Sequence, residues 1–300
     1  MSDWLISIAG TDAGRQMAMG LALLAAFSHA VFGALQKGRF DPWLTRGAID
    51  FSYGLMAAPF ALFVVPWPEP HMWPIFAGMV VIHLGYKWLQ AMAYERGAYT
   101  VVYPVVRGTG PLITVIAAGF VFGEHFSTLQ WLGVLGLSGG IFGLAAFNLT
   151  RVDIDPARLR RAILLAFATG VFVALYTTYD AYGIRATANP FTFLAWFFFL
   201  DGLIFPFVAA SRFRAMPSPP LLGPLLKRGF IGGLIGYISF GSVMLATRLD
   251  SVGEAAVLRE TSTVFAALIG WLVLKETVGW TRGLLMAAIA LGAVIVEFGG

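Results

Sequence analysis

The 300-residue chain contains no cysteine, so disulfides and thiol chemistry are excluded. Only 12% of its residues are charged, against about 25% in soluble domains. With 58% hydrophobic residues and a mean hydropathy of +0.78, it has too little polar surface for a water-soluble fold; the bilayer is its solvent. There is no Gly-x-x-x-x-Gly-Lys-Ser/Thr motif and no soluble segment to host one, so ATP hydrolysis is not expected. The four histidines, at 29, 71, 83 and 125, have no metal-ligand spacing, and no Gly-x-Ser-x-Gly or His-x-x-Glu pattern occurs. No metal, cofactor or catalytic residue is therefore expected. The first residues carry no basic region and no cleavage-site pattern, which reads as an uncleaved signal-anchor. The net charge of +4 is spread over short loops rather than gathered in a patch, so nucleic acid is not an expected partner.

What is present is a hydrophobic pattern written twice. Arg96, Val105, Arg107, Thr109, Val121 and Glu124 recur 152 residues later as Arg248, Val257, Arg259, Thr261, Val273 and Glu276. Pro42 and Gly54-Leu55 recur at a spacing of 148 as Pro190 and Gly202-Leu203, and Gly140 recurs as Gly292. Continuous apolar runs of spanning length lie near 15–36, 43–66, 72–94, 98–122, 127–149, 160–184, 190–211, 227–247, 252–274 and 279–298. These runs lack period-2 alternation and read as helices. The expected fold is an all-α integral membrane protein. Ten transmembrane helices form two inverted five-helix repeats, over 1–150 and 151–300. Five is odd, so the second copy must enter the membrane from the opposite side.

Basic residues give an independent reading of orientation. Loops after odd-numbered spans, with the span ends beside them, hold 14 of the 20 Lys and Arg, the other side with both termini holds 3, and 3 lie deeper within spans. The positive-inside rule places the 14 in the cytoplasm and both termini on the outer, periplasmic side of a bacterial inner membrane.

Span four ends in FVFGE at 120–124 and span nine in LVLKE at 272–276, each followed by a Gly-rich helix. With the five-plus-five repeat, this resembles the drug/metabolite transporter superfamily, and within it the EamA-type exporters. The resemblance covers essentially the whole chain. It implies a secondary transporter, not an enzyme, with a central cavity lined by spans one, three, four, six, eight and nine. Bacterial members of this kind include exporters of amino acids, aromatic ones among them. The expected partners are accordingly a small-molecule substrate such as an amino acid, and the lipid bilayer. The oligomeric state stays open.

The polar residues inside those spans are the candidate site. Span three places His83, Lys87, Gln90 and Tyr94 on one helical face, and span four places Tyr99, Tyr103 and Arg107 on another. Pro104 and the run Gly108-Thr109-Gly110-Pro111 predict a broken hydrogen-bond ladder and a bending gate in span four. Span six adds Tyr176, Tyr179 and Asp180, span eight Ser239, and span nine Arg259 and Glu260. Three cations, two carboxylates and many rings suit a zwitterion with an apolar side chain. Arginine would hold the carboxylate, and Asp180 or Glu260 the ammonium.

Plainer readings accompany these. Lys87 and Asp180 neutralise each other; Arg107 and Arg259 are structural partners of Asp180 or Glu260; His29 is an interhelical hydrogen-bonder. Asp50 and Asp201 fall outside the expected lining, and Arg46–Asp50 is an i, i+4 pair. Glu124 and Glu276 cap or pair at span ends. A cationic multidrug exporter is disfavoured because 15–36 contains no carboxylate. A nucleotide-sugar or sugar-phosphate exchanger remains open, since the cations could hold phosphate.

Overall fold

The computed structural model describes residues 2–36, 40–97, 99–150, 155–272 and 279–300, without the side chains of 33–36, 99–100 and 270–272. Every regular element among them is a helix: α1 Ser2–Ile8, α2 Asp12–Gln36, α3 Pro42–Phe63, α4 Met72–Arg96, α5 Tyr99–Phe122, α6 Thr128–Leu149, α7 Pro156–Ala186, α8 Pro190–Ala215, α9 Leu222–Leu249, α10 Val252–Arg259, α11 Ser262–Leu272 and α12 Trp280–Phe298. Eight of these, α2, α4 to α9 and α12, are long and apolar enough to cross a membrane. In α3, Arg46 and Asp50 lower the hydropathy. Span nine is two short helices, of 8 and 11 residues, rather than one.

Helix starts follow local chemistry. Asp41, Asp155 and Asn189 each precede a proline at the first helical position and accept backbone N–H bonds from the first turn of α3, α7 and α8. Ser127 and Gln130 form a reciprocal capping box on α6. Ser251 caps α10 by accepting from Glu254 N at 3.2 Å.

The two copies pack reciprocally. α3 lies along α8 and α6 along α12, joining each helix to its own counterpart, while α2 packs on α9 and α4 on α7. A methyl group on Gly202 would come within 2.7 Å of the Gly54 Cα, so these repeat-related glycines allow α3 and α8 to touch backbone to backbone. Gly140 faces Leu285 and Ile289, while Gly292 faces Gly133 and Leu137. Each residue of the second contact is the repeat counterpart of one in the first. That exchange of roles is what a two-fold relation requires.

The distribution of polarity is reversed from that of a soluble protein. Phe63, Phe120 and Phe207 are more than three-quarters exposed, whereas Asp50, Lys87, Arg107, Asp180 and Glu260 are buried. Apolar side chains face outward to lipid, and ionised groups are gathered between the helices.

Candidate functional site

A cavity lies between the two halves. It is lined by His29 and Phe32 of α2, by His83, Tyr86, Gln90 and Tyr94 of α4, and by Tyr103, Val106 and Arg107 of α5. Tyr176 of α7, Ser239 and Phe240 of α9, and Arg259 of α10 complete that part of the wall. Spans two and seven also contribute, through Arg46, Ile49 and Tyr53 of α3 and Phe197 and Phe198 of α8. The implied six-span lining is therefore too narrow. The cause is the close α3–α8 approach, which turns one face of each helix inward. A larger groove between α3 and α8 on the outer surface is almost wholly apolar and holds no comparable set of charges.

The interruption expected in span four occurs instead in its copy. α5 runs unbroken through Pro104 and Pro111, with the hydroxyls of Thr109 and Thr114 donating to the Val105 and Gly110 carbonyls. Between α10 and α11 the backbone tightens: Glu260 N and Thr261 N bond three residues back, to the Val257 and Leu258 carbonyls. Thr261 and Thr263 hydroxyls cover the Leu258 and Glu260 carbonyls. Arg107 docks on this break. Its Nε lies 2.6 Å from Glu260 Oε2, and its Nη2 donates to Ser262 Oγ at 3.2 Å and to the Arg259 carbonyl at 3.4 Å. A guanidinium at a helix C-terminus meets the negative end of the helix dipole.

Arg259 differs from its counterpart. Among the described residues no carboxylate lies within ion-pair distance of it. Its Nη2 donates to Tyr176 Oη at 3.1 Å, and its guanidinium stands 5.5 Å from the Phe240 ring centroid. The side chain is buried against the cavity, and its Nε has no hydrogen-bond partner.

A second buried network flanks the cavity across α3, α4, α7 and α8. Lys87 Nζ lies 2.6 Å from Asp50 Oδ2 and 2.7 Å from Asp201 Oδ1, and donates to Tyr53 Oη at 3.1 Å. Arg46 Nε pairs with Asp50 at 2.7 Å, and Tyr53 donates a short hydrogen bond to Asp201. His83 Nε2 lies 2.8 Å from Asp180 Oδ2, with Nδ1 3.7 Å from Asp201 Oδ1. Lys87 and Asp180 therefore do not neutralise each other, because each has its own partner. Asp50 and Asp201, set aside on sequence grounds, are the residues that hold Lys87.

Of the other candidates, His83, Tyr103, Arg107, Tyr176, Ser239 and Arg259 line the cavity. Lys87, Asp180 and Glu260 lie behind the lining, Lys87 and Glu260 each engaged by a partner of opposite charge and Asp180 by the His83 ring. Neither carboxylate is thus free to hold a substrate ammonium. Tyr179 is turned away: its hydroxyl lies over Gly78 and its ring beside Tyr182. The side chain of Tyr99, and all of Lys275 and Glu276, lie outside the described residues. Glu124 caps α10, accepting from Val252 N at 2.7 Å, Gly253 N at 3.0 Å and Ser251 Oγ at 2.8 Å. His29 lines the cavity and stacks on Tyr103, with ring centroids 6.3 Å apart. Tyr86 and Gln90 also belong to the wall, with Gln90 Nε2 donating to the Tyr86 hydroxyl.

A multi-pass helical bundle that encloses a ring-rich, guanidinium-bearing cavity between two reciprocally packed halves has the form of a membrane solute carrier. The chain belongs to the EamA-like transporter family, whose model matches residues 16–146 and 160–298. It is a transporter of the drug/metabolite transporter superfamily. A protein of Sinorhizobium fredii (strain NBRC 101917 / NGR234), named "Uncharacterized protein y4nH", is 36% identical over 72 residues. That match spans 24% of this chain and 62% of the relative's length. A solved crystal structure is similar over 94% of this chain and 96% of its own, with a TM-score of 0.73 at 18% identity. That likeness shows the fold.

Proposed function

We propose that the protein exports small metabolites bearing a carboxylate on an apolar or aromatic body, amino acids with such side chains foremost. The observation that carries this reading is Arg259. It is a buried guanidinium with no carboxylate partner among the described residues and an unpartnered Nε, in a wall otherwise built of Tyr, Phe and His rings. A guanidinium holds a carboxylate through parallel N–H bonds, and the rings offer stacking and cation–π surface to a side chain or an ammonium. Asp180 and Glu260, engaged by His83 and Arg107, support the second role less than the rings do.

Transport proceeds by alternating access between inverted halves, 1–150 and 151–300. Each half contributes five membrane crossings, with α10 and α11 together forming the ninth. The reciprocal glycine contacts and the one-sided distribution of basic residues support this arrangement. In the same reading the protein resides in a bacterial inner membrane with both termini periplasmic. A cationic-drug exporter is disfavoured because the described cavity wall carries guanidinium groups and no carboxylate. A sugar-phosphate exchanger needs several free cations for a dianion. Arg46 and Arg107 are already paired, which leaves Arg259.

The test is efflux of labelled L-phenylalanine from loaded proteoliposomes. Protein-dependent efflux that falls at least tenfold in Arg259→Gln is expected. The absence of efflux with the wild-type protein contradicts the substrate reading.

A further inference from the structure

The buried charges around the cavity divide into two sets that do not balance separately. The first, on α3, α4, α7 and α8, holds two permanent cations, Arg46 and Lys87, and three carboxylates, Asp50, Asp180 and Asp201. The second, on α5 and at the α10–α11 break, holds Arg107 and Arg259 against Glu260 alone. One set is short of a positive charge and the other of a negative one. Tyr176 stands between them, accepting from Arg259 and lying against the His83 ring at a centroid distance of 4.8 Å.

The first set meets the cavity through His83, Arg46 and Tyr53. Both ring nitrogens of His83 face carboxylates, Nε2 toward Asp180 of α7 and Nδ1 toward Asp201 of α8. A neutral imidazole carries one N–H, so one of those contacts then lacks a proton; an imidazolium supplies both. The remaining neighbours are Tyr86 of its own helix, Tyr176 of α7, Phe197 of α8 and Phe240 of α9. Lys87 reaches Asp201, while Arg46, Asp50 and Tyr53 of α3 complete the network. Asp180 Oδ1 is buried with no hydrogen-bond partner.

In the empty cavity the two sets offset each other across Tyr176. A carboxylate that brings no cation of its own, seated on Arg259, neutralises the second set and leaves the first with an unbalanced buried negative charge, an expensive state in a low-dielectric interior. A proton on His83 removes that cost. We infer that the His83–Asp180 pair is a proton site coupled to an anion site at Arg259, so that a bound monoanion is accompanied by one proton, a charge that a zwitterion supplies through its own ammonium. By linkage, the carboxylate raises proton affinity by the factor through which the proton raises carboxylate affinity. The inference rests on the carboxylate reading above.

The experiment measures proton uptake by the purified full-length protein in weakly buffered detergent with a pH indicator. L-Phenylalanine and 3-phenylpropionate are added to saturation, and their binding is measured in parallel. The expected result is uptake approaching one proton per 3-phenylpropionate bound and little uptake with L-phenylalanine, whose ammonium supplies the charge, with 3-phenylpropionate affinity falling about tenfold per pH unit on the alkaline limb. Asp180→Asn, whose side chain lies behind the cavity wall, should bind the ligands without that uptake. Binding of 3-phenylpropionate to the wild type with no proton uptake overturns the coupling and leaves the carboxylate reading standing. Uptake that persists in Asp180→Asn overturns the assignment to this pair. If neither ligand binds, the carboxylate reading and the coupling fall together.

Discussion

Arg107 and Arg259 occupy equivalent places in the two copies, and the first holds the backbone of the second: Arg107 Nη2 donates to the Arg259 carbonyl at 3.4 Å. The same guanidinium pairs with Glu260 at 2.6 Å. One copy of the repeated arginine thus fixes the helix break that carries the other. The two differ in role: the first is a paired support, and the second has no carboxylate partner among the described residues.

Arg107→Ala would leave Glu260 as a buried carboxylate with no ion-pair partner, a loss of about 3–5 kcal/mol. A marked fall in melting temperature in detergent is expected, with part of it recovered in Arg107→Ala/Glu260→Ala. An unchanged melting temperature in the single variant would contradict the supporting role.

Arg259→Gln removes a cation that has no carboxylate partner among the described residues, so the fold should survive. Its melting temperature should fall far less than that of Arg107→Ala, while binding of carboxylate ligands falls at least tenfold, about 1.4 kcal/mol. A collapse in stability would instead show that Arg259 is a structural residue.

Lys87→Met leaves Asp50 and Asp201 facing each other without their shared cation. The expected cost is again about 3–5 kcal/mol. Lys87→Met combined with Asp50→Asn should be more stable than Lys87→Met alone. The double-variant melting experiment checks this, and strictly additive losses would argue against the network.

Glu124→Gln weakens the acceptor that holds the first N–H groups of α10 and the Ser251 hydroxyl. A destabilisation of about 1 kcal/mol is expected from the weakened cap. Hydrogen exchange at Val252 and Gly253 should rise more than exchange within α9. Equal exchange at both places would contradict the capping role.

Much of this was legible in the sequence. The apolar runs mark the helices because spanning length and continuity are one-dimensional properties. The motifs at Asp41-Pro42, Asp155-Pro156, Asn189-Pro190 and Ser127-x-x-Gln130 mark their starts because capping is local. The matched Arg-x-Thr centres pointed to Arg107 and Arg259. What escaped was tertiary. Asp201 sits in an apolar run, FFFLDGLIF, and its partner Lys87 is 114 residues away on another helix. A signal was available: a charge within a span that has no partner three or four residues away must find one elsewhere. That rule would have set Lys87 and Asp201 side by side. The break fell in span nine rather than span four because transmembrane helices packed among neighbours absorb proline, as α5 does at Pro104 and Pro111. The continuous polar run Arg259–Thr263 was the stronger sign.

The central claim, that Arg259 receives the carboxylate of the substrate, is tested most directly by one binding series. L-Phenylalanine, 3-phenylpropionate and phenethylamine share a ring and a short chain and differ in charged groups. Calorimetric titration of wild type and Arg259→Gln should show binding of the two carboxylates, weakened at least tenfold by the substitution, and weaker binding of phenethylamine that the substitution does not reduce. Tightest binding of phenethylamine, or equal carboxylate affinity in the two proteins, would contradict it.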